Sequence, residues 1–201
     1  MFSIILSLIF PINCATNIDI FIESQCPDTV RLFKKMKTLL DYEQIHSQIE
    51  FHFIPFGKGN EKLVLNQGYE FNCQHGNKEC YGNLIDSCVL EQLDQIEQLR
   101  YLICIHQERQ NNEELINLSL KKCVQNQECV YERTLKCAQS KFGNYLQHKA
   151  AKFTLAQNLV EIPWININGQ HSPEFDKKFK LNPLKAICEQ IDCEKIKVNF
   201  K

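Results

Sequence analysis

Cys26 has the sequence setting of a reactive thiol. The apolar, strand-like residues 17–23 lead into Cys26 and Pro27, and apolar side chains at helical spacing follow over residues 27–42. This order places the sulfur at a helix N-terminus, where the helix dipole stabilises an anion and a thiol loses its proton more readily than in a free cysteine. We therefore interpret Cys26 as a nucleophile for disulfide exchange, supported by Pro27. The alternative is a structural half-cystine.

Thr29 stands three residues after Cys26, where a Cys-x-x-Cys pair would have its second thiol. A hydroxyl cannot resolve a mixed disulfide, so we expect Thr29 to cap the helix, or else to donate a hydrogen bond to the Cys26 thiolate. A lone thiol still exchanges disulfides when an external thiol such as glutathione or cysteine completes the cycle. The sequence therefore predicts a monothiol cycle that needs such a reductant and no bound cofactor.

The N-terminal residues 1–15 predict a secretory signal peptide. They are mainly apolar, too short to span a bilayer, and end in small residues near Cys14. A buried N-terminal strand is the alternative. The signal peptide places the mature chain in the secretory pathway, with a lysosomal or extracellular destination. Asn117, in the triplet Asn117-Leu118-Ser119, is the glycosylation candidate.

The cysteine content predicts structural disulfides. The chain has 11 cysteines in 201 residues, which fits an oxidising compartment. If Cys14 leaves with the signal peptide and Cys26 is free, nine of the 11 remain. Because nine is odd, at least one is free or pairs with a partner. The candidates for disulfides are Cys73, Cys80, Cys88, Cys104, Cys123, Cys129, Cys137, Cys188 and Cys193.

Charge and composition exclude several classes of partner. The net charge is −1 and basic residues are scattered among acidic ones, which argues against an extended surface for nucleic acid or anionic membrane. No segment after the signal peptide is long and apolar enough for stable membrane insertion. The oligomeric state is not readable from the sequence.

The pattern of apolar residues predicts one α/β domain, residues 16–201, with a helical insertion at about 72–159. Strands at 17–23 and 49–56 flank the first helix, so they form a parallel βαβ unit with a right-handed crossover. Within the cysteine-rich insertion, residues 84–108, 113–124 and 145–159 have amphipathic, helical spacing. A strand at 162–169 with an Asn-Gly hairpin turn and a final helix at 183–191 close the domain.

Pro163 is the second candidate of the active site. It stands at the head of the strand at 162–169, where thioredoxin-like folds have a cis-proline that faces the reactive sulfur. The alternative is an ordinary proline at a strand entry, with Trp164 in the core.

The segment from Cys73 to Cys88 concentrates three cysteines and His75 in sixteen positions. Cysteine and histidine are zinc ligands, but these spacings match no common zinc motif, and secreted proteins more often oxidise such thiols. We therefore expect disulfides, no metal, and a local hydrogen-bonding role for His75.

The same segment resembles the signature of the gamma-interferon-inducible lysosomal thiol reductase family, Cys-Gln-His-Gly-x-x-Glu-Cys-x-x-Asn-x-x-x-x-Cys, at every fixed position. Residues 23–28 and 162–171 are similar to the approach to the active site and to the proline strand of that family. Cys137 with Gly143 and Leu146 resembles a later helix, and Cys188 with Cys193 resembles the terminal cysteine pair at a shortened spacing.

This resemblance implies a thioredoxin-like fold with a disulfide-rich helical insertion, a lumenal or secreted location, and reduction of protein disulfides at acidic pH by a Cys-x-x-Cys pair. Cys26 matches the nucleophile of that pair. Thr29 departs from the pattern, so no residue matches the resolving cysteine.

Three functions compete on this evidence. The first is a thiol-disulfide oxidoreductase that acts on protein disulfides through Cys26. The second is a non-catalytic or weakly active binding protein that kept the fold and lost the resolving cysteine. The third, a saposin-like lipid binder, fits the cysteine-rich helices but explains neither the βαβ start nor the Pro163 strand.

Overall fold

The described part of the chain begins with a βαβ unit, in which alternating apolar residues form the first strand and a proline starts the helix. The computed structural model describes residues 15–109 and 113–193, so the signal peptide expected at 1–15 lies outside the described residues except for Ala15. Strand β1 (Thr16–Ile22) leads to helix α1 (Pro27–Met36), and strand β2 (Ile49–Pro55) follows. The two strands pair in parallel, from Thr16 opposite Ile49 to Ile22 opposite Pro55.

The first helix is shorter than expected. It ends at Met36 and continues as a 3-10 turn, Lys37–Asp41, before a single helical turn, α2 (Glu43–His46). Leu39 and Ile45 in these turns are fully buried. The apolar spacing thus continues through three short elements, which is why it indicated one long helix.

A hairpin that the sequence did not predict follows the βαβ unit. Strands β3 (Asn60–Val64) and β4 (Gly68–Asn72) form a separate two-stranded antiparallel sheet. None of their ten residues is buried and five are exposed, so the burial pattern of a half-buried strand is weak. The side chain of Asn144 anchors the hairpin, since it accepts from the backbone N–H of Tyr69 and donates to the Tyr69 carbonyl.

Five helices lie between β4 and the next strand: α3 (Asn77–Leu90), α4 (Gln95–Glu108), α5 (Glu113–Cys123), α6 (Glu128–Ala138) and α7 (Lys141–Leu155). The expected segment 84–108 is therefore two helices, because the Asp94 side chain caps a new one by accepting from the N–H groups of Ile96 and Glu97. Helix α6 was not predicted as a separate element. Helix α3 packs against both α6 and α7.

The second part of the sheet is antiparallel. Strand β5 (Trp164–Ile167) pairs with β1, and β6 (Gln170–His171) pairs with β5, which gives the strand order β2-β1-β5-β6. The turn between β5 and β6 uses Asn168 and Gly169 at φ values of 49° and 76°, the left-handed conformation that an Asn-Gly hairpin turn requires. The hairpin expected at this site is confirmed.

Two short helices close the described chain. Helix α8 (Pro173–Leu181), which was not predicted, begins after Ser172, whose hydroxyl accepts from the Phe175 N–H. Helix α9 (Pro183–Cys188) begins at the expected residue and ends before Ile191. In the described parts of the chain, no helix combines the length and apolarity needed to cross a membrane.

The two sides of β1 contribute to different apolar clusters. Ile18, Ile20 and Ile22 pack in the main core with side chains of α1, α4, α8 and α9. Phe21 belongs instead to a small cluster that contains the candidate nucleophile. We call its five members the thiol cluster: Phe21, Cys26, Ile54, Ile162 and Trp164.

Candidate thiol active site

Cys26 lies at the junction of β1 and α1, as its sequence setting predicts. It is the N-cap residue of α1, with extended backbone angles, and Pro27 is the first helical residue. Proline is favoured there because the first helical N–H has no intrahelical partner. Only 6% of Cys26 is exposed, and its Sγ lies 3.6 Å from the carbonyl oxygen of Ile162. The sulfur therefore lies at a positive helix end in largely apolar surroundings.

The strand register brings the Ile162–Pro163 peptide beside this sulfur. Phe21 of β1 is opposite Trp164 of β5, which brings the start of β5 beside the end of β1. The Ile162–Pro163 peptide bond is cis, the isomer expected from the sequence. Trp164 is 9% exposed and its ring stacks on His171 at 3.5 Å between centroids. The buried Trp164 ring thus packs in the thiol cluster that contains Cys26.

Thr29 does not cap the helix, contrary to expectation. It is fully buried, and its hydroxyl oxygen accepts a hydrogen bond from the Glu23 backbone N–H at 3.5 Å. The N-cap residue Cys26 makes no side-chain capping hydrogen bond. The Thr29 hydrogen bond therefore connects Glu23, the residue after β1, to the first turn of α1. The exposed side chains of Asp28 and Arg31 form an ion pair with each other on the next part of the turn.

The cysteines of the chain fall into four bridges and two free thiols within the described residues. The bridges join Cys73 to Cys80, Cys88 to Cys137, Cys104 to Cys123, and Cys188 to Cys193. Cys26 is free and buried, whereas Cys129 is free and exposed near the start of α6. Cys129 was among the disulfide candidates and has no bridge, which corrects that assignment. Because the disulfide candidates numbered nine, at least one of them had to be free or to pair with a partner.

The bridges confirm the disulfides expected in the segment from Cys73 to Cys88. All three of its sulfurs are oxidised, and an oxidised sulfur is not the thiolate that zinc binds. His75 lies instead against two buried carboxylates that the sequence interpretation did not connect with it. We call Glu23, His75 and Glu79 the carboxylate cluster.

The carboxylate cluster is held by backbone donors. The Lys58 N–H donates to Glu23 Oε1 at 2.7 Å, and the His75 N–H donates to Glu79 Oε1 at 3.1 Å. His75 Nδ1 lies 2.5 Å from the second oxygen of Glu79 and 3.6 Å from that of Glu23. Burial raises the pKa of Glu23, the Lys58 N–H opposes this, and the Glu79 charge adds to it. Glu23 therefore favours its protonated form more than a free carboxyl does.

The geometry of this cluster is that of direct hydrogen bonding. Two ligands on one tetrahedral zinc, each at about 2.0–2.1 Å, lie roughly 3.3 Å apart. The 2.5 Å between His75 Nδ1 and Glu79 Oε2 is much shorter. The three groups can hold a metal only if they separate, so the expectation of no metal stays a prediction that this geometry favours. His75 stands just before the N-cap Gly76 of α3 and Glu79 is in the first turn, and a glutamate three residues after an N-cap was the available sequence signal for a contact back to this segment.

Asn117, the glycosylation candidate, lies in α5. Its Oδ1 accepts from the hydroxyl of Tyr81 at 2.8 Å, and the Ser119 hydroxyl donates to the Glu108 carbonyl at 2.9 Å. Both polar groups of the triplet are thus engaged in the folded protein. Glycosylation stays a prediction.

The fold is thioredoxin-like, with a free thiol at the N-terminus of its first helix. A DsbA variant from Pseudomonas aeruginosa superposes with a TM-score of 0.56 at 14% identity, over 90% of this chain and 88% of that chain. DsbA from Xylella fastidiosa gives 0.50 at 12% identity, over 88% and 86%. At these identities the likeness concerns the fold, which confirms the thioredoxin-like architecture with a disulfide-rich helical insertion.

The chain belongs to the gamma interferon inducible lysosomal thiol reductase (GILT) family, whose sequence profile matches residues 17–127. GILT-like protein 1 of Drosophila melanogaster is 27% identical over 188 residues, which cover 87% of this chain and 74% of that protein. A GILT-like protein of Caenorhabditis elegans is 33% identical over 82% of this chain and only 50% of its own length. The gamma-interferon-inducible lysosomal thiol reductase of Carassius auratus is 27% identical, over 89% and 69%.

Proposed function

We propose that this protein reduces disulfides of protein substrates through Cys26 in a monothiol cycle, in a lysosomal or extracellular compartment. The observation that carries the proposal is the free sulfur of Cys26 at the N-terminus of α1, 3.6 Å from the carbonyl oxygen that precedes cis-Pro163. A thiolate is stabilised at a helix N-terminus, and the thiolate is the form that attacks disulfides.

In the first step, the Cys26 thiolate attacks one sulfur of a substrate disulfide. A bond forms between Cys26 Sγ and that sulfur, the substrate S–S bond breaks, and the leaving thiolate takes a proton from solvent. The product is a mixed disulfide between enzyme and substrate.

In the second step, an external thiolate such as glutathione or cysteine attacks the Cys26 sulfur of the mixed disulfide. This releases the reduced substrate and leaves a mixed disulfide between Cys26 and the small thiol. A second small thiol attacks the small-thiol sulfur of that bond and regenerates Cys26. Two external thiols thus supply the two electrons and leave as one small disulfide.

The need for an external thiol follows from the surroundings of Cys26. Thr29 occupies the position of a resolving cysteine, and its buried hydroxyl is not a thiol. Cys129 is the other free cysteine of the described residues and lies on a different element, α6. The four bridges support the proposed compartment, because disulfides persist where the environment is oxidising.

Thr29 also supports a second candidate function, a binding protein without turnover. A reductase assay on a denatured, disulfide-containing protein separates the two. The assay compares the mature chain with its Cys26→Ser and Cys129→Ser variants, with glutathione or cysteine, at acidic and neutral pH. We expect the wild type and Cys129→Ser to reduce the substrate and Cys26→Ser to be inactive.

Equal activity of Cys26→Ser and wild type would overturn the assignment of the nucleophile. No reduction by the wild type at any concentration of small thiol would favour the binding protein instead.

A further inference from the structure

Ser24, two residues before Cys26, is held at every polar atom. Its N–H donates to Asn83 Oδ1 at 2.8 Å, its hydroxyl donates to the Glu79 carbonyl at 3.0 Å, and its carbonyl accepts from Arg109 Nη1 at 3.3 Å. The residue is 2% exposed. Because Ser24 is in the connection between β1 and α1, these contacts bear directly on the segment that carries the thiol.

Helix α3 supplies two of the three contacts and comes unusually close to Ser24. Asn83 is fully buried, and its Nδ2 also donates to the Phe56 carbonyl at 3.4 Å, so its side chain is held at both ends. A methyl group added to Gly82 would lie 2.4 Å from the Ser24 hydroxyl oxygen. Glycine at position 82 is therefore what allows the helix to approach the connection.

Arg109, at the end of α4, supplies the third contact. Its side chain is 2% exposed and pairs with the fully buried Asp86 through two nitrogens, at 2.8 and 2.5 Å. Tyr101 donates to the same carboxylate at 2.8 Å. Burial acts to lower the pKa of Arg109, but the charge and hydrogen bonds of Asp86, together with Tyr101, raise that pKa on balance. The Arg109 guanidinium thus stays charged, and Asp86 of α3 holds it in place.

The contacts of Ser24 come from two helices that do not belong to the strand–helix unit around Cys26. Arg109 is 85 residues away in sequence and Asn83 is 59 residues away. Ser24 is 2 residues from Cys26 along the backbone, and the Cys26 N–H closes the turn by donating to the Glu23 carbonyl at 3.3 Å. A shift of Ser24 therefore changes the position of the sulfur relative to α1 and to the Ile162 carbonyl.

We infer that Asn83 and Arg109 are positioning residues for Cys26: by holding Ser24, they set where the sulfur lies at the helix N-terminus. The inference deepens the proposed function and rests on Cys26 as its nucleophile. Neither side chain touches the sulfur in the contacts described above, so both act through the backbone of Ser24.

The test measures alkylation of Cys26 by iodoacetamide as a function of pH, in a Cys129→Ser background that leaves no second free thiol among the described residues. The variants are Asn83→Ala and Arg109→Lys, since lysine keeps the charge but cannot form the two-pronged contact with Asp86 and also reach Ser24. Because labelling needs no substrate or turnover, its result is independent of whether the monothiol cycle operates.

Two control variants remove part-buried side-chain hydrogen bonds at α3 and α4 that do not involve Ser24, Asp86 or Arg109. Gln92→Ala removes the bonds from Gln92 to the Cys88 carbonyl and to Thr134 on α6, and Gln98→Ala removes the bonds from Gln98 to the Leu90 and Leu93 carbonyls. The free energy of unfolding is measured for all four variants, so that loss of stability is separated from loss of positioning.

We expect Asn83→Ala and Arg109→Lys to change the labelling rate at acidic pH by at least about threefold and to move the pH midpoint of labelling, since one lost hydrogen bond shifts an equilibrium by roughly that factor. The controls should lose comparable stability and keep the wild-type profile. Wild-type profiles in both Asn83→Ala and Arg109→Lys would overturn the inference. Should Arg109→Lys fail to fold, Asn83→Ala, which introduces no unpaired charge, decides alone.

Discussion

Two clusters lie at the carboxyl end of β1, and they differ in the polar partners that they give to the thiol and to the carboxylates. In the thiol cluster, Cys26 Sγ makes a weak polar contact with the Ile162 carbonyl and packs with the apolar side chains of the cluster. In the carboxylate cluster, Glu23 and Glu79 each have a backbone N–H donor and share His75. A buried charge is stable only with partners, whereas a nucleophile with strong partners would be less reactive.

The difference shows how the fold combines a free thiol with buried charge. Asn83 and Glu79 of α3 hydrogen-bond to Ser24, and His75, just before α3, together with the Lys58 N–H contacts Glu23. The sulfur is therefore held by the backbone around it, while its own electron pairs stay available for a substrate. Each of the following predictions changes one side of this comparison.

The largest expected effect comes from giving the thiol cluster a second thiol. We expect Thr29→Cys to raise reductase activity and to lower its dependence on added small thiol by at least about tenfold, because an intramolecular thiol replaces a bimolecular step. Thr29→Ser is the matched control, since it keeps the hydroxyl that accepts from Glu23. Equal rates for the two variants, measured at several glutathione concentrations, would show that something other than the missing thiol limits turnover.

The second prediction compares the long bridge with the short one beside the carboxylate cluster. Replacing Cys88 and Cys137 by alanine opens a loop of 49 residues, and replacing Cys73 and Cys80 opens one of 7. The loop-entropy relation gives a loss of free energy of unfolding about 1.5–2 kcal/mol larger for the long loop. Urea denaturation of both double variants measures the difference. A larger loss for the short bridge would mean that its local contacts outweigh loop entropy.

The third prediction concerns the charge of Glu23. Burial raises its pKa in the folded state, so the folded state binds this proton more tightly than the unfolded state. The stabilisation that results is present at low pH and is lost as pH rises through the folded-state pKa. Relative to Glu23→Gln, which mimics the protonated form and keeps an acceptor for the Lys58 N–H, the wild type should lose stability as pH rises from acidic to neutral.

Urea denaturation at a series of pH values tests this sign. Glu174→Gln is the control, because the neighbouring Lys178 lowers the pKa of Glu174, so that its contribution has the opposite pH dependence. Parallel stability curves for the wild type and Glu23→Gln would show that Glu23 does not carry the expected proton.

The smallest effect on the reactivity of Cys26 is expected from the exposed ion pair in the first turn of α1. Asp28 is in the first turn of α1, but its charge is paired with Arg31 and exposed to solvent. Exposed pairs contribute about 0.2–1 kcal/mol, so Asp28→Asn should speed the alkylation of Cys26 by no more than roughly fivefold. A larger change in the labelling rate would mean that solvent does not screen this charge from the sulfur.

Local features of the fold were predictable because they depend on neighbours in sequence. The order strand, Cys26, Pro27, helix placed the thiol correctly, and Asn168 with Gly169 marked the hairpin. The hairpin β3–β4 was missed because none of its ten strand residues is buried and polar residues are mixed with apolar ones on strands of only five residues. Helix α8 was missed although Ser172 and Pro173 carry the usual signals of a helix start.

The sequence by itself determined the family signature, the candidate nucleophile, the lack of a resolving cysteine at position 29 and the disulfide-rich character of the chain. Only the tertiary structure decided which cysteines pair, that Cys129 stays free, and that Asn83 and Arg109 meet at Ser24. The physical reason is distance along the chain. A residue type and its neighbours set local conformation and chemistry, whereas contacts across 49, 59 or 85 residues form only when helices and sheet pack around a common core.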